Sequence, residues 1–233
     1  MTPPMHGASR RLFVSPHLDD AVFACAEWIA SAASPLVVTI FAGFPPAGAP
    51  LTAWDRECGF DDGDDVVALR RDEDRAALDA LGAGAIQLDF LDDQYGEPRS
   101  TAVIADALAG IVEHEAPQAI HVPLGLFHAD HRRSSEASLA LFDRFATRAW
   151  HVYEDAIYRC IPGAVDERTR ALVDRGFVLE RRSPAMAGDA AARKRRAVAC
   201  YRSQLRALRT RNAHDDMFAP ERHWALSRSP GLR

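Results

Sequence analysis

Cysteine is scarce: Cys25, Cys58, Cys160 and Cys200 are the only four in 233 residues, and no two form a C-x-x-C pair. That excludes a cysteine zinc knuckle and a disulfide framework, and it suits a reducing cytosol. Long apolar runs are also absent. No stretch approaches the ~20 residues that span a bilayer, and the opening MTPPMHGASRR lacks the apolar core of a signal peptide. The expectation is a cytoplasmic protein without a membrane partner. Positive charge is in deficit as well, with 28 Lys and Arg against 33 Asp and Glu, a net charge of -5 and a pI near 6.0. Such a balance does not draw nucleic acid. The basic residues between Arg193 and Arg211 recur around an amphipathic helical pattern and read as a solvated face. No repeat, low-complexity segment or linker divides the chain, so residues 1–233 read as one domain.

Hydrophobic residues make up 48% of the sequence and charged ones 26%, the balance of a chain that buries a packed core. Arg11 to Ser15 and Leu36 to Phe44 are short apolar runs, and between them Asp20 to Ala33 carries apolar residues at helical spacing. After a long loop from Pro45 to Asp64, a helical pattern returns from Asp65 to Leu81 and stops at Gly82. Further strands are expected at Ile86 to Leu91, Ala119 to Leu124, Ala149 to Tyr158 and Phe177 to Arg182. Helices are expected at 101–115, 131–146, 166–175 and 189–209. This alternation predicts an α/β fold, a Rossmann-like three-layer α/β/α sandwich on a mostly parallel sheet.

In such a sheet the ligand crevice lies beyond the carboxyl ends of the strands, so polar residues that directly follow strands deserve scrutiny. Two clusters qualify: Ser15-Pro16-His17-Leu18-Asp19-Asp20 and His128-Ala129-Asp130-His131. Imidazole and carboxylate together suit zinc or another divalent cation, and His17, Asp20 and His131 supply three ligands with a position left for water. Asp19 would then stand beside that water as general base, and His128 would face the oxyanion of an attacked carbonyl. Taken singly, either carboxylate also reads as a helix N-cap, and either histidine as an ordinary surface residue.

The two clusters resemble the motifs of the PIG-L/LmbE-like family of zinc-dependent N-deacetylases. That family's H-P-D-D-E appears as His17-Leu18-Asp19-Asp20-Ala21, and its H-x-D-H as His128 to His131. Leu69 to Glu73 followed by Leu81-Gly82, and Lys194 to Gln204, are similar to two of its helices. The resemblance implies hydrolysis of the N-acetyl amide of a small amino-sugar conjugate, with Zn2+ on His17, Asp20 and His131. It also implies Asp19 as base, His128 as oxyanion and acid partner, and Asp130 as the residue that tunes His128. Leu18 and Ala21 depart from the motif, and Ala21 removes a carboxylate next to the metal ligands.

For substrate contacts, the resemblance points to Arg70 and to Asp92, each of which reads equally as a surface ion-pair partner. In the 45–64 loop, Trp54 is placed to stack on a sugar ring and Asp55 to bind its hydroxyls, unless the tryptophan only pins the loop to the core. A homo-oligomer stays open. Two other readings compete: a sugar-binding module stapled by a structural metal, and a nucleotide-binding Rossmann protein. Retention of Asp19 speaks against the first. The lack of a glycine-rich turn after the first strand speaks against the second.

Overall fold

The computed structural model describes residues 10–96, 99–184, 188–209 and 214–229. Residues 1–9, read above for a leader, and residues 210 and 211 of the basic run lie outside that set. The strands are β1 (Arg10–Ser15), β2 (Ser34–Thr39), β3 (Gly84–Gln87), β4 (Ala119–Pro123), β5 (Ala149–Tyr153), β6 (Phe177–Arg182) and β7 (His223–Arg228). Among the described residues the helices are α1 (Asp20–Ala30), α2 (Ala53–Cys58), α3 (Val66–Leu81), α4 (Thr101–Glu115), α5 (Ala129–Leu139), α6 (Ala164–Asp174), α7 (Ala190–Val198) and α8 (Arg202–Leu208).

Among the described residues one sheet holds the seven strands, in the order β3-β2-β1-β4-β5-β7-β6. The pairs from β3 through to β5 are parallel, whereas β7 runs antiparallel to both β5 and β6. The chain leaves β1 toward β2 on one side and returns to β4 on the other, so the order reverses between β1 and β4. A crevice opens at the carboxyl ends of strands where order reverses, and both chemistry-bearing clusters follow these two strands.

Alternation along the strands feeds two cores. Leu12, Val14, Leu36, Val38, Ile120, Val122 and Val152 face α4 and α5, while Phe13, Val37 and Tyr153 pack with Phe23, Ile29, Leu78 and Val198 of α1, α3 and α7. Both faces of the parallel region are therefore buried, which explains why its strands read as continuous apolar runs.

Several expectations shift in detail: β2 and β3 stop at Thr39 and Gln87, short of Phe44 and Leu91, and α5 stops at Leu139, short of position 146. The run from Ala149 ends as a strand at Tyr153, because Glu154 and Asp155 turn away at the carboxyl edge. The helix expected over 189–209 is two helices, interrupted where Tyr201 buries its ring and donates its hydroxyl to Asp74 at 2.8 Å. The loop 45–64 contains α2, started by a capping box in which Thr52 Oγ1 accepts from Asp55 N at 3.1 Å and Asp55 Oδ2 from Thr52 N at 2.9 Å. Strand β7 had no expectation, since its place between β5 and β6 depends on partners more than 40 residues away.

Candidate metal centre

The turn between β1 and α1 is wound by Ser15. Its hydroxyl donates to His17 O at 2.6 Å and accepts from Ala21 N at 2.9 Å. Asp19 occupies the N-cap position of α1, yet its side chain makes no capping hydrogen bond. The plain N-cap reading of this carboxylate therefore fails. Asp20 Oδ2 accepts from His17 N at 2.9 Å and lies 3.1 Å from His17 Nδ1 and 3.1 Å from His131 Nε2.

Across the crevice, His128 is the N-cap of α5, and its Nδ1 accepts from Asp130 N at 3.2 Å. The proton then sits on Nε2. Burial, and after it the neighbouring His17 and His131, lower the His128 pKa and favour this neutral ring. His17, Asp20 and His131 each offer a ligand atom within 4.8 Å of the others, and so do His17, His128 and Asp130. His17 is common to both groups, so they are two sides of one centre.

Whether this set suits a cation can be tested at His131. Its Nδ1 lies 2.6 Å from Asp155 Oδ1, which fixes the ring proton there. Nε2 is left with a lone pair, fully buried and without a hydrogen bond, 3.1 Å from an Asp20 oxygen. Two such atoms at that separation are held together by a positive charge, either a proton on Nε2 or a metal cation that both ligate. The surrounding charge agrees. Burial opposes protonation of His17 and His131, but Asp92, Asp130 and Asp20 raise His17 well above its ordinary value, and Asp20 and Asp155 carry His131 to about 9. These carboxylates demand positive charge, and a divalent ion displaces protons from imidazoles to meet the demand. The residues fit zinc or a similar cation.

Asp19 stands next to this set at the floor of a cavity of about 500 Å³ that Trp54, Arg70, Asp92, Gln94, His128 and Tyr158 help to line. Burial, and then the Asp20 charge, push its carboxyl up to about 7, while Arg70 pulls it down. Buried Arg70 also lies 3.8 Å from Asp92 Oδ2. Asp92 itself accepts from Gln94 N and Nε2 at 3.1 and 3.0 Å.

One expectation needs correction. Asp55 is 1% exposed and does not reach the cavity, because its oxygens are engaged by Thr52 N and by the Tyr95 hydroxyl at 2.8 Å. It shapes the loop instead of binding sugar hydroxyls. Asp130, read from the resemblance as the residue that tunes His128, reaches that ring by charge and by its backbone N–H, while its carboxylate points elsewhere. That carboxylate meets His17 Nε2 at 3.2 Å, Asp93 N at 2.9 Å and Arg133 at 2.5 Å. Trp54 does line the cavity, with its indole N–H donated to Gln204 at 3.1 Å.

Residues absent from the sequence reading are Asp155 and Tyr158. The rule of polar residues after strands would have found Asp155 had β5 been ended at Tyr153. The two family-like helices meet here as well: Glu73 accepts from Ser203 N and Oγ at 2.9 and 2.6 Å, which holds α3, with Arg70, against α8.

A mostly parallel α/β sheet with a His-Asp-His centre and an adjacent free carboxylate at its switch point defines a metal-dependent hydrolase. Residues 12–142 match the family of GlcNAc-PI de-N-acetylases, PIG-L, and the chain belongs to that family. Among solved structures, the zinc-inhibited form of teicoplanin deacetylase Orf2 is 25% identical with a TM-score of 0.79, covering 95% of this chain and 99% of that one. The A40926 pseudoaglycone deacetylase Dbv21 is 25% identical with a TM-score of 0.76, over 95% and 98% of the two chains. N,N'-diacetylchitobiose deacetylase from Pyrococcus horikoshii shares the fold at 18% identity and a TM-score of 0.55, over 98% and 86%. No curated protein matches the chain significantly. Among the described residues no helix is long and apolar enough to cross a membrane.

Proposed function

We propose that this protein hydrolyses the N-acetyl group of an amino sugar carried in a small conjugate, with His17, Asp20 and His131 holding a zinc ion. The observation that carries the reading is the pairing of a bare His131 Nε2 with Asp20, beside an Asp19 carboxylate that caps nothing. Family membership supports the acetamide of an N-acetylglucosamine unit as the reacting group.

A divalent ion on these ligands supplies Lewis acidity to the amide carbonyl and makes water a nucleophile near neutral pH. Asp19 takes the proton from the attacking water, a task for which a carboxyl near pH 7 is well matched. The neutral His128, with its proton on Nε2, donates a hydrogen bond to the oxygen that becomes negative. When the C–N bond breaks, the departing nitrogen receives the proton that Asp19 now holds. Arg70 offsets part of the burial that raises Asp19 and so favours its anionic form before the step, and Trp54 walls the sugar side. The four free thiols support a reducing, cytosolic setting for this reaction.

The test is release of free amine and acetate from N-acetylglucosamine conjugates by the zinc-loaded protein. Activity lost to a chelator and restored by zinc is expected. A metal-loaded, folded protein that cleaves no such amide overturns the reading.

A further inference from the structure

Among the described residues, three non-glycine positions have left-handed backbone: Ala116 at φ 45°, Phe127 at φ 55° and Ile157 at φ 64°. Ala116 merely ends α4. The other two line the metal cavity. This conformation is unfavourable for L side chains, most of all for a β-branched one, and persists only where its surroundings enforce it.

Both positions are enforced. Around Phe127, His128 N donates to Leu126 O at 2.6 Å across a three-residue turn, and Asp155 Oδ2 accepts from Gly125 N and Leu126 N at 2.9 and 3.2 Å. Gly125 is obligatory here, at φ 86° with Ser135 Cβ only 2.6 Å from where a Cβ would stand. Around Ile157, Asp216 accepts from Ile157 N at 2.8 Å and from Arg159 Nε at 2.9 Å. The result is alike at both positions: an apolar side chain lines the cavity. Phe127 is 64% exposed, and its ring stacks on Tyr158 with centroids 5.6 Å apart and planes at 29°.

Beyond this ring lies a second cavity of about 390 Å³, and Phe127 and Ile161 line both, so they form the ridge between them. Its lining joins the apolar Leu126, Pro162, Ala164 and Ala171 to the charged Arg132, Glu136, Glu167 and Arg168. Arg168, at its edge, is already bound to Leu124 O at 2.8 Å, Ser135 Oγ at 3.0 Å and Glu136 at 2.6 Å. Among the described residues, none of the buried polar atoms left without a partner belongs to this cavity. The charged groups stay solvated or paired at the rim, so an occupant that crosses the ridge gains by covering the apolar Phe127, Ile161, Ala164 and Ala171, and no buried donor or acceptor waits for a hydroxyl.

We propose that the amino sugar carries an apolar, ring-containing aglycone, and that Phe127 guides this group from the metal cavity over the ridge into the second one. The proposal rests on the N-deacetylase reading above and names the class of conjugate it acts on.

The test compares the 2-naphthyl and methyl glycosides of N-acetylglucosamine as substrates, and the corresponding deacetylated glucosaminides as ligands in calorimetry. The wild type should favour naphthyl over methyl about tenfold in kcat/KM and in affinity, the scale of one buried aromatic contact. Phe127→Gly, which suits the left-handed turn, and Ala171→Trp, which fills the second cavity from its far side, should each bring both ratios close to one. Equal values for the two glycosides in the wild type overturn the proposal, and so does a preference that survives both variants. Failure to hydrolyse either glycoside counts against the deacetylase reading alone, and the calorimetric ratio then decides the aglycone site.

Discussion

His131 Nδ1 lies 2.6 Å from Asp155 Oδ1, and the other Asp155 oxygen holds the N–H groups of Gly125 and Leu126. One carboxylate thus sets the tautomer of a metal ligand and anchors the turn that presents Phe127 and His128. Asp155→Asn cannot serve both sides, because its NH2 group must face either the imidazole N–H or two backbone N–H groups. Zinc affinity, measured by competition with a chelator, should fall by about 10- to 100-fold. Unchanged affinity would show that His131 does not need this partner.

Asp19→Asn separates base from ligand. The variant should keep its zinc while turnover drops by about 10²-fold or more. Asp20→Ala, in contrast, should lose metal and turnover together. Wild-type rates in Asp19→Asn would remove Asp19 from the chemistry.

Asp55→Ala breaks the capping box of α2 and strips the Tyr95 hydroxyl of its acceptor, so unfolding by urea should require about 1–3 kcal/mol less. Asp55→Asn, which keeps an acceptor oxygen, should recover much of the loss. A rise in KM at unchanged stability would instead favour a sugar-binding carboxylate.

His121, His151 and His223 sit on neighbouring strands beside Trp28, with His121 stacked between Phe13 and His151 at centroid distances of 4.4 and 4.5 Å. Burial first, and then mutual repulsion and the nearby Arg11, hold His121 well below the ordinary imidazole value. Burial likewise brings His151 to about 4 and His223 to about 3. In the unfolded chain each titrates near 6.5, so as pH falls below that value the unfolded state binds protons that the folded state refuses. The contribution of these imidazoles to stability declines from about pH 6.5 toward 4, by up to ~1.4 kcal/mol per pH unit for a fully buried ring. Glu221 and Asp19, which burial raises to about 7, and Asp74, which burial also raises, oppose this trend and favour the folded state on acidification. His121→Phe preserves the stack and removes one imidazole. Its urea midpoint should fall less steeply than that of the wild type between pH 6.5 and 4.5, and parallel profiles would mean that His121 does not titrate between the folded and unfolded states.

Local chemistry in the sequence determined much of this protein. Strand β6 runs from Phe177 to Arg182 as its apolar pattern indicates, and α3 ends at Gly82, whose φ of 71° suits glycine. His17, Asp20 and His131 were legible because the carboxyl ends of parallel strands carry the ligand crevice, a rule that needs only strand ends and residue types. Tertiary structure alone decided what depends on distant partners. Asp55 looked like a sugar contact until Tyr95 was found against it, Asp155 became visible only where β5 stops, and β7 took its place between strands far away in sequence. The three core histidines read as polar one by one, and only the register of β4, β5 and β7 stacks them into a buried, neutral cluster. The physical reason is the same in each case: burial, tautomer and pKa are set by what packs against a side chain, and sequence neighbours supply only a small part of that surface.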